Sequence, residues 1–156
     1  FRVRAPVVLI GSPKRDASNE GLASTVTPQQ TAIPTIVVVE DEAINRMYLS
    51  TFLKQKGYDV REYRSGVDLI DGEPLPNAEI ILMDIGLPHM SGIDVTKALR
   101  ERGVSTPIVA LTAYSSQRDV EAYREAKMNG FVPKPVSEEI LMSVVQRVLS
   151  GDGWAT

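Results

Sequence analysis

Three unbroken apolar runs of strand length, separated by stretches with helical periodicity, restrict the folds open to this chain more than any other feature. The runs are Ile36–Val39, Ile80–Met83 and Ile108–Leu111. Strands that are covered on both faces need such continuous runs, whereas a sheet with one solvated face shows alternation. Their alternation with helical stretches is typical of successive β-α-β units. The sequence therefore predicts an α/β fold with a doubly wound, parallel sheet.

Two weaker signals complete the predicted sheet. The segment 60–63 mixes apolar and charged residues, which suits a strand at the edge. The dipeptide 131–132 follows an Asn-Gly turn and forms a short fifth strand. Together with the helical stretches between them, these signals predict five strands and five helices between residues 36 and 150.

Capping residues mark the predicted helix boundaries. The first helix, at residues 43–56, ends at Gly57. Ser91 and Ser116 each precede an aspartate by three residues, which is the spacing of a capping box. Ser137 is the N-cap of the last helix. That helix carries a double apolar stripe with i, i+4, i+8 spacing, formed by Ile140, Leu141, Val144, Val145, Val148 and Leu149.

The N-terminal part of the chain differs in composition from the rest. Residues 11–34 are rich in Gly, Ser, Thr, Pro and Gln, which is typical of a linker. Residues 1–10 alternate like one short strand. We therefore expect a compact domain at residues 35–150, followed by a tail at 151–156. Because the chain begins with phenylalanine, we expect it to be a piece of a longer protein.

Charge and composition exclude several classes of function. Seventeen basic and 20 acidic residues give a formal net charge of −3, which supplies no overall attraction to nucleic acid or anionic lipid. Zero cysteines and one histidine exclude disulfides, thiolate zinc sites, cysteine nucleophiles and multi-histidine metal sites. No apolar run approaches the about 18 residues that span a bilayer. We expect a cytoplasmic domain that contacts neither nucleic acid nor membrane.

Polar side chains stand at the end of four of the predicted strands. Glu40 and Asp41 follow the first strand, Asp84 the third and Thr112 the fourth, while Lys134 lies just beyond the fifth. In open α/β sheets, ligands bind beyond the carboxyl ends of the strands. Three carboxylates, a hydroxyl and an ammonium are therefore expected at one edge of the sheet.

This combination of side chains predicts a magnesium-dependent phosphoryl site. Crowded carboxylates repel each other unless they share a hard cation such as Mg²⁺. Thr112 and Lys134 suit the oxygens of a phosphoryl group, and Asp84 could act as the nucleophile. Taken singly, Glu40 and Asp41 are also explained as acids that cap a helix. Thr112 alone would be a strand-end residue and Lys134 alone a surface charge, but their coincidence favours function.

These residues resemble the receiver domain of two-component response regulators, over about residues 35–150. The resemblance implies a flavodoxin-like (βα)5 fold with strand order 2-1-3-4-5. It rests on four segments: Glu40-Asp41-Glu42; Leu82-Met83-Asp84-Ile85-Gly86-Leu87-Pro88 with Met90-Ser91-Gly92; Leu111-Thr112-Ala113; and Phe131-Val132-Pro133-Lys134-Pro135.

The resemblance implies a phosphorelay in which Asp84 accepts a phosphoryl group from a phosphohistidine. The resulting acyl phosphate later hydrolyses, so the domain catalyses its own modification but is mainly a signalling switch. Mg²⁺ would be held by Asp41, by Asp84 and by the backbone carbonyl of Gly86. Glu40 would act on the metal mainly through water.

The resemblance also implies roles at the other strand ends. Thr112 and Lys134 would bind the phosphoryl oxygens, and the Lys134–Pro135 peptide bond would be cis. Phe131 matches the aromatic switch residue, whose rotamer follows the movement of Thr112. Signalling would then pass through the surface of the fourth helix, the fifth strand and the fifth helix.

Two further segments suggest the parent protein. Asn45-Arg46 resembles the form common in receivers fused to histidine kinases, and residues 1–6 look like the last strand of a kinase ATP-binding domain. We therefore expect the parent protein to be a hybrid sensor histidine kinase, which could be membrane-anchored. The partner would be a histidine kinase or a histidine phosphotransfer domain, and formation of a homodimer stays open.

Three other functions compete with that of a receiver domain. A phosphatase of the haloacid dehalogenase type needs a second aspartate two residues after Asp84, where Gly86 stands. A nucleotide or flavin module is disfavoured because the chain lacks the glycine-rich phosphate motifs. A pseudo-receiver that acts only as a protein-binding module stays open, although the acids, the threonine and the lysine of the receiver pattern are all present.

Overall fold

Five strands alternate with five helices in the computed structural model, which describes residues 32–72, 77–152 and 154. The predicted strand at residues 1–10 and most of the predicted linker lie outside the described residues. The elements are β1 Thr35–Val39, α1 Ala43–Gln55, β2 Asp59–Tyr63, α2 Gly66–Asp71, β3 Ala78–Asp84, α3 Gly92–Glu101, β4 Ile108–Thr112, α4 Gln117–Glu125, β5 Gly130–Pro133 and α5 Glu138–Leu149.

All five strands are parallel and lie in the order β2-β1-β3-β4-β5. The α/β fold, the doubly wound sheet and the strand order are therefore confirmed. The register brings the strand ends side by side: Val39 pairs with Met83, and Asp84 pairs with Leu111. This alignment places the polar residues at the ends of β1, β3 and β4 next to each other.

The core has two halves, one on each face of the sheet. In β1, Ile36 and Val38 face the half that contains α1 and α5, whereas Val37 and Val39 face the half that contains α2, α3 and α4. All four side chains have no exposed surface. Coverage of both faces explains why the central strands read as continuous apolar runs.

The predicted N-cap serines are present, with one difference in a capping box and one in the apolar stripe of α5. Ser91, Ser116 and Ser137 each accept a backbone hydrogen bond at a helix start. The reciprocal capping box forms at Ser116, whose backbone N–H donates to the Asp119 carboxylate over 3.1 Å, whereas at Ser91 the hydroxyl but not the backbone N–H donates to the Asp94 carboxylate. The stripe on α5 is narrower than predicted, because Ile140 is 39% exposed. Among the described residues, none of the helices combines the length and apolarity needed to cross a membrane.

Candidate functional site

The polar residues predicted at the strand ends line one cavity of about 330 Å³. Asp84 and Thr112 are the last residues of β3 and β4, and Lys134 directly follows β5. Phe131, also predicted as a site residue, is not part of the lining. The lining includes Glu40, Asp41, Asp84, Gly86, Thr112 and Lys134.

Three carboxylates form an acidic cluster in this cavity. Glu40, Asp41 and Asp84 each place one carboxylate oxygen within 4.8 Å of the others. Glu40 and Asp84 are buried, with 1% and 4% of their surface exposed, whereas Asp41 is open to solvent. Hard oxygen donors, of which one is reachable from solvent, are the ligand set that Mg²⁺ prefers. The side chains therefore fit this ion.

Lys134 bridges two members of the acidic cluster. Its Nζ donates to Asp84 Oδ1 over 3.0 Å and to Glu40 Oε2 over 3.3 Å. Burial by itself would lower the pKa of Lys134, but the hydrogen bond and charge of Asp84, together with Glu40, raise it overall. The ammonium is therefore charged and compensates part of the cluster.

Local backbone contacts hold Lys134 in this position. Its N–H donates to the Thr112 carbonyl over 2.7 Å, which ties the end of β5 to the end of β4. The Lys134–Pro135 peptide bond is cis, as the resemblance implied.

Glu40 is the most deeply buried acid of the cluster. Burial raises its pKa, and the charge of Asp84 adds to this effect. The backbone N–H of Glu42, which donates to Glu40 Oε1 over 3.1 Å, and the nearby Lys134 act in the opposite direction. The net pKa is raised, because desolvation of the carboxylate is the largest of these effects.

The two oxygens of Asp84 differ in their surroundings. Oδ1 accepts hydrogen bonds from Lys134 and from the backbone N–H of Gly86, the latter over 2.9 Å. Oδ2 accepts none from the part of the chain that the structure describes. A β-carbon at Gly86 would lie 3.7 Å from Oδ1, so a side chain there would reach over the carboxylate.

Thr112 is held by a small network on the side of α4. Its Oγ1 accepts from the Tyr114 N–H over 2.9 Å and lies 3.1 Å from the Tyr114 carbonyl oxygen. The hydroxyl of Tyr123 lies 2.7 Å from Thr112 Oγ1 and 2.7 Å from the same carbonyl oxygen. Thr112 therefore lines the cavity while its hydroxyl bonds the Tyr114 backbone, just before α4, and Tyr123 on α4.

Phe131 lies on β5 and is half-buried in the core half that contains α2, α3 and α4. Its ring packs against Tyr123, with centroids 6.3 Å apart and planes inclined by 47°. The predicted switch aromatic is thus in contact with a residue that bonds Thr112.

Two residues shape the site although the sequence did not identify these contacts. Arg46 donates to the carbonyl oxygens of Glu40 and Asp41 over 2.9 and 3.3 Å, which fixes the loop that carries both acids. Tyr123 reaches Thr112 across the end of β4. A usable signal existed for Tyr123, because a tyrosine in an otherwise buried position needs a partner for its hydroxyl.

Comparisons with known proteins agree with this geometry. The family model described as "Response regulator receiver domain" matches residues 36–146. The polar-differentiation response regulator DivK of Brucella ovis is 30% identical over 116 residues, which cover 73% of this chain and 94% of DivK.

Two solved structures are also similar. The chemotaxis protein CheY4 of Vibrio cholerae is 27% identical with a TM-score of 0.71, covering 75% of this chain and 99% of CheY4. The receiver domain of sensor histidine kinase PA1611 from Pseudomonas aeruginosa is 32% identical with a TM-score of 0.68, covering 76% of this chain and 99% of that domain. Its structure has a magnesium ion coordinated in the active site cleft.

The family model spans β1 to most of α5, and the strand order and the acidic cluster lie within that span. The chain therefore belongs to the response regulator receiver domain family of two-component systems.

Proposed function

We propose that this domain accepts a phosphoryl group on Asp84 from a phosphohistidine. The observation that carries the proposal is the pair of unlike oxygens on Asp84: Oδ1 is held by Lys134 and Gly86, while Oδ2 has no partner among the described residues. Oδ2 attacks phosphorus as the bond from phosphorus to the histidine nitrogen breaks. The imidazole leaves with the electron pair, and Asp84 becomes an acyl phosphate.

We propose that Mg²⁺ binds at the acidic cluster through Asp41, Asp84 and the Gly86 carbonyl, with Glu40 acting through water. The clustered carboxylate oxygens and the magnesium ion in the PA1611 receiver support this assignment. When bound, the ion neutralises carboxylate charge and stabilises the charge on the phosphoryl oxygens. Lys134 already partly compensates Asp84 and binds a phosphoryl oxygen from the other side of the cavity.

Thr112 supplies a hydroxyl donor to the phosphoryl group, and its movement alters the packing of Phe131. The contact of the Phe131 ring with α4 supports a path from the site to the surface of α4, β5 and α5. A pseudo-receiver would bind partners without this chemistry, and the complete set of acids, threonine and lysine favours the phosphoacceptor.

We further propose a hybrid sensor histidine kinase as the parent protein, with this domain at residues 35–150 and a tail at 151–156. Residues 11–34 would be the linker from a kinase ATP-binding domain that ends in the strand at residues 1–10. Asn45-Arg46 and the similarity to the receiver of a sensor histidine kinase support this parent. The domain would work in the cytoplasm with a histidine kinase or a histidine phosphotransfer domain.

Intact-mass measurement after incubation with Mg²⁺ and acetyl phosphate tests the phosphoacceptor. We expect wild type to gain the mass of one phosphoryl group and Asp84→Asn to gain none, because the substitution removes the nucleophile. Asp71→Asn is the matched control, since Asp71 is an exposed acid at the end of α2. An unmodified wild type, or an Asp84→Asn protein that gains the same mass, would refute the phosphoacceptor and leave the pseudo-receiver.

A further inference from the structure

We propose that Tyr123 is a positioning residue that restrains Thr112 in the unphosphorylated domain and so sets how readily the site accepts a phosphoryl group. The inference rests on the proposed function, because it concerns the regulation of the same site. It adds a hydroxyl from α4 to a site otherwise built from strand ends.

Tyr123 is placed for this role by its burial and its hydrogen bonds. Only 2% of its surface is exposed, and its ring fills the core half beside Phe131. Its hydroxyl lies 2.7 Å from Thr112 Oγ1, which is the usual length of an O–H···O hydrogen bond. Because the Tyr123 ring is tightly packed, its hydroxyl stays in place and cannot follow Thr112 when Thr112 moves.

The hydroxyl proton of Thr112 is already used in a hydrogen bond, so it is not available to a group in the cavity. Thr112 and Tyr123 each hold one hydroxyl proton, and the Tyr114 N–H already occupies one lone pair of Thr112 Oγ1. Either Thr112 donates to Tyr123 and Tyr123 to the Tyr114 carbonyl, or Tyr123 donates to Thr112 and Thr112 to that carbonyl. In both arrangements the proton of Thr112 is engaged by Tyr123 or by the Tyr114 carbonyl and not by a group that binds Asp84.

A phosphoryl oxygen accepts hydrogen bonds and cannot donate them, so Thr112 must turn its proton toward the cavity. Within the described residues, Thr112 Oγ1 makes no hydrogen bond to Asp84 or Lys134. Turning Oγ1 toward them breaks the 2.7 Å contact with Tyr123. The Tyr123 hydroxyl therefore stabilises the unphosphorylated arrangement relative to the phosphorylated one.

The side chain at position 131 explains why the restraint on Thr112 comes from α4. Phe131 has no hydroxyl, so β5 does not supply a hydrogen bond from that side chain, and the hydroxyl that meets Thr112 comes from α4 instead. Because the two rings are packed together, release of Thr112 changes the surroundings of both α4 and β5. The regulated surface is thus linked to the site through Tyr123.

The test measures the affinity for beryllium trifluoride, a phosphoryl mimic, in saturating Mg²⁺ by titration calorimetry. We expect Tyr123→Phe to bind it about three- to tenfold more tightly than wild type, the range that follows from losing one net hydrogen bond. Tyr63→Phe is the matched control. It removes a tyrosine hydroxyl from a half-buried ring against the same core half, on β2, which β1 and β3 separate from β4.

A double-mutant cycle with Thr112→Ala separates positioning from packing. If Tyr123 acts through Thr112, Tyr123→Phe has no effect on beryllium trifluoride affinity in the Thr112→Ala background. A merely structural role would give the same ratio in both backgrounds, and that result would overturn the inference, as would equal or weaker binding by Tyr123→Phe. Tyr123→Met, a flexible apolar side chain without a hydroxyl, provides a second variant should Tyr123→Phe fail to fold.

The two proposals fail in different ways. Wild type that binds no beryllium trifluoride in the presence of Mg²⁺ overturns the phosphoacceptor and this inference together. Wild type that binds it, with an unchanged Tyr123→Phe protein, overturns only the role of Tyr123.

Discussion

Replacement of Lys134 by alanine tests how much its ammonium group stabilises the buried carboxylates of the site. The ammonium contacts Asp84 over 3.0 Å and Glu40 over 3.3 Å, and both carboxylates are nearly inaccessible to solvent. Removing one partner of a fully buried ion pair costs about 3–5 kcal/mol. Because the Lys134 side chain is 27% exposed, screening reduces this cost, and we expect Lys134→Ala to lose about 2 kcal/mol of unfolding free energy in chelator.

The same substitution that lowers stability is expected to raise the affinity for Mg²⁺. Without the ammonium, no lysine charge offsets the three carboxylates of the cluster, so we expect Lys134→Ala to bind Mg²⁺ more tightly than wild type. Binding to the folded state alone adds about 2.7 kcal/mol of stability at a ligand concentration 100 times Kd. The stability difference between the two proteins therefore narrows as Mg²⁺ is added.

Thermal and urea unfolding followed by circular dichroism measure both effects. In chelator, about 2 kcal/mol corresponds to a Tm lowered by roughly 8 °C for a domain of this size. Lys97→Ala is the matched control, because Lys97 is exposed on α3 and forms no ion pair with the residues that the structure describes. Equal stability of Lys134→Ala and wild type in chelator, or equal stabilisation of both by Mg²⁺, would refute the reasoning.

Two further predictions concern the neighbours of Asp84. The raised pKa of Glu40 means that the folded protein binds this proton more tightly than the unfolded chain, so its contribution to stability falls as pH rises from the ordinary value of 4.5 through the folded pKa. Glu40→Gln should therefore gain stability relative to wild type as pH rises in chelator, measured as urea midpoints; a difference independent of pH would contradict this. Gly86→Met should lengthen the half-life of the acyl phosphate severalfold, because a side chain at Gly86 would begin 3.7 Å from Asp84 Oδ1, reach over the carboxylate and exclude the attacking water. Equal half-lives of the two phosphoproteins, followed by mass, would disprove that shielding.

The sheet and the positions of the site residues were predictable because both depend on local patterns. Ile36–Val39 has no polar residue, and only a strand covered on both faces tolerates such a run. Parallel strands in one sheet share an edge, so the residues that end them must meet there whatever the details of packing. Glu40, Asp84 and Thr112 could thus be assigned to one cavity from their places in the chain.

The contacts within the site were decided by the tertiary structure. Lys134 meets Glu40 across 94 positions of the chain, and which carboxylate oxygen it takes depends on the register of β4 and β5. Ile140 fits the apolar stripe of α5 but is exposed, since the rotation of a helix against the sheet is set by the packing of the whole face.

Tyr123 is the clearest case of a contact that the sequence alone does not predict. It is buried on α4, and the partner of its hydroxyl is decided by where α4 crosses the end of β4. Hydrogen bonds act over about 3 Å, a scale that a periodic pattern of apolar residues does not resolve. The sequence by itself determined which strand-end residues meet in the cavity, and only the packed structure brought Arg46 and Tyr123 to them and decided which atoms bond.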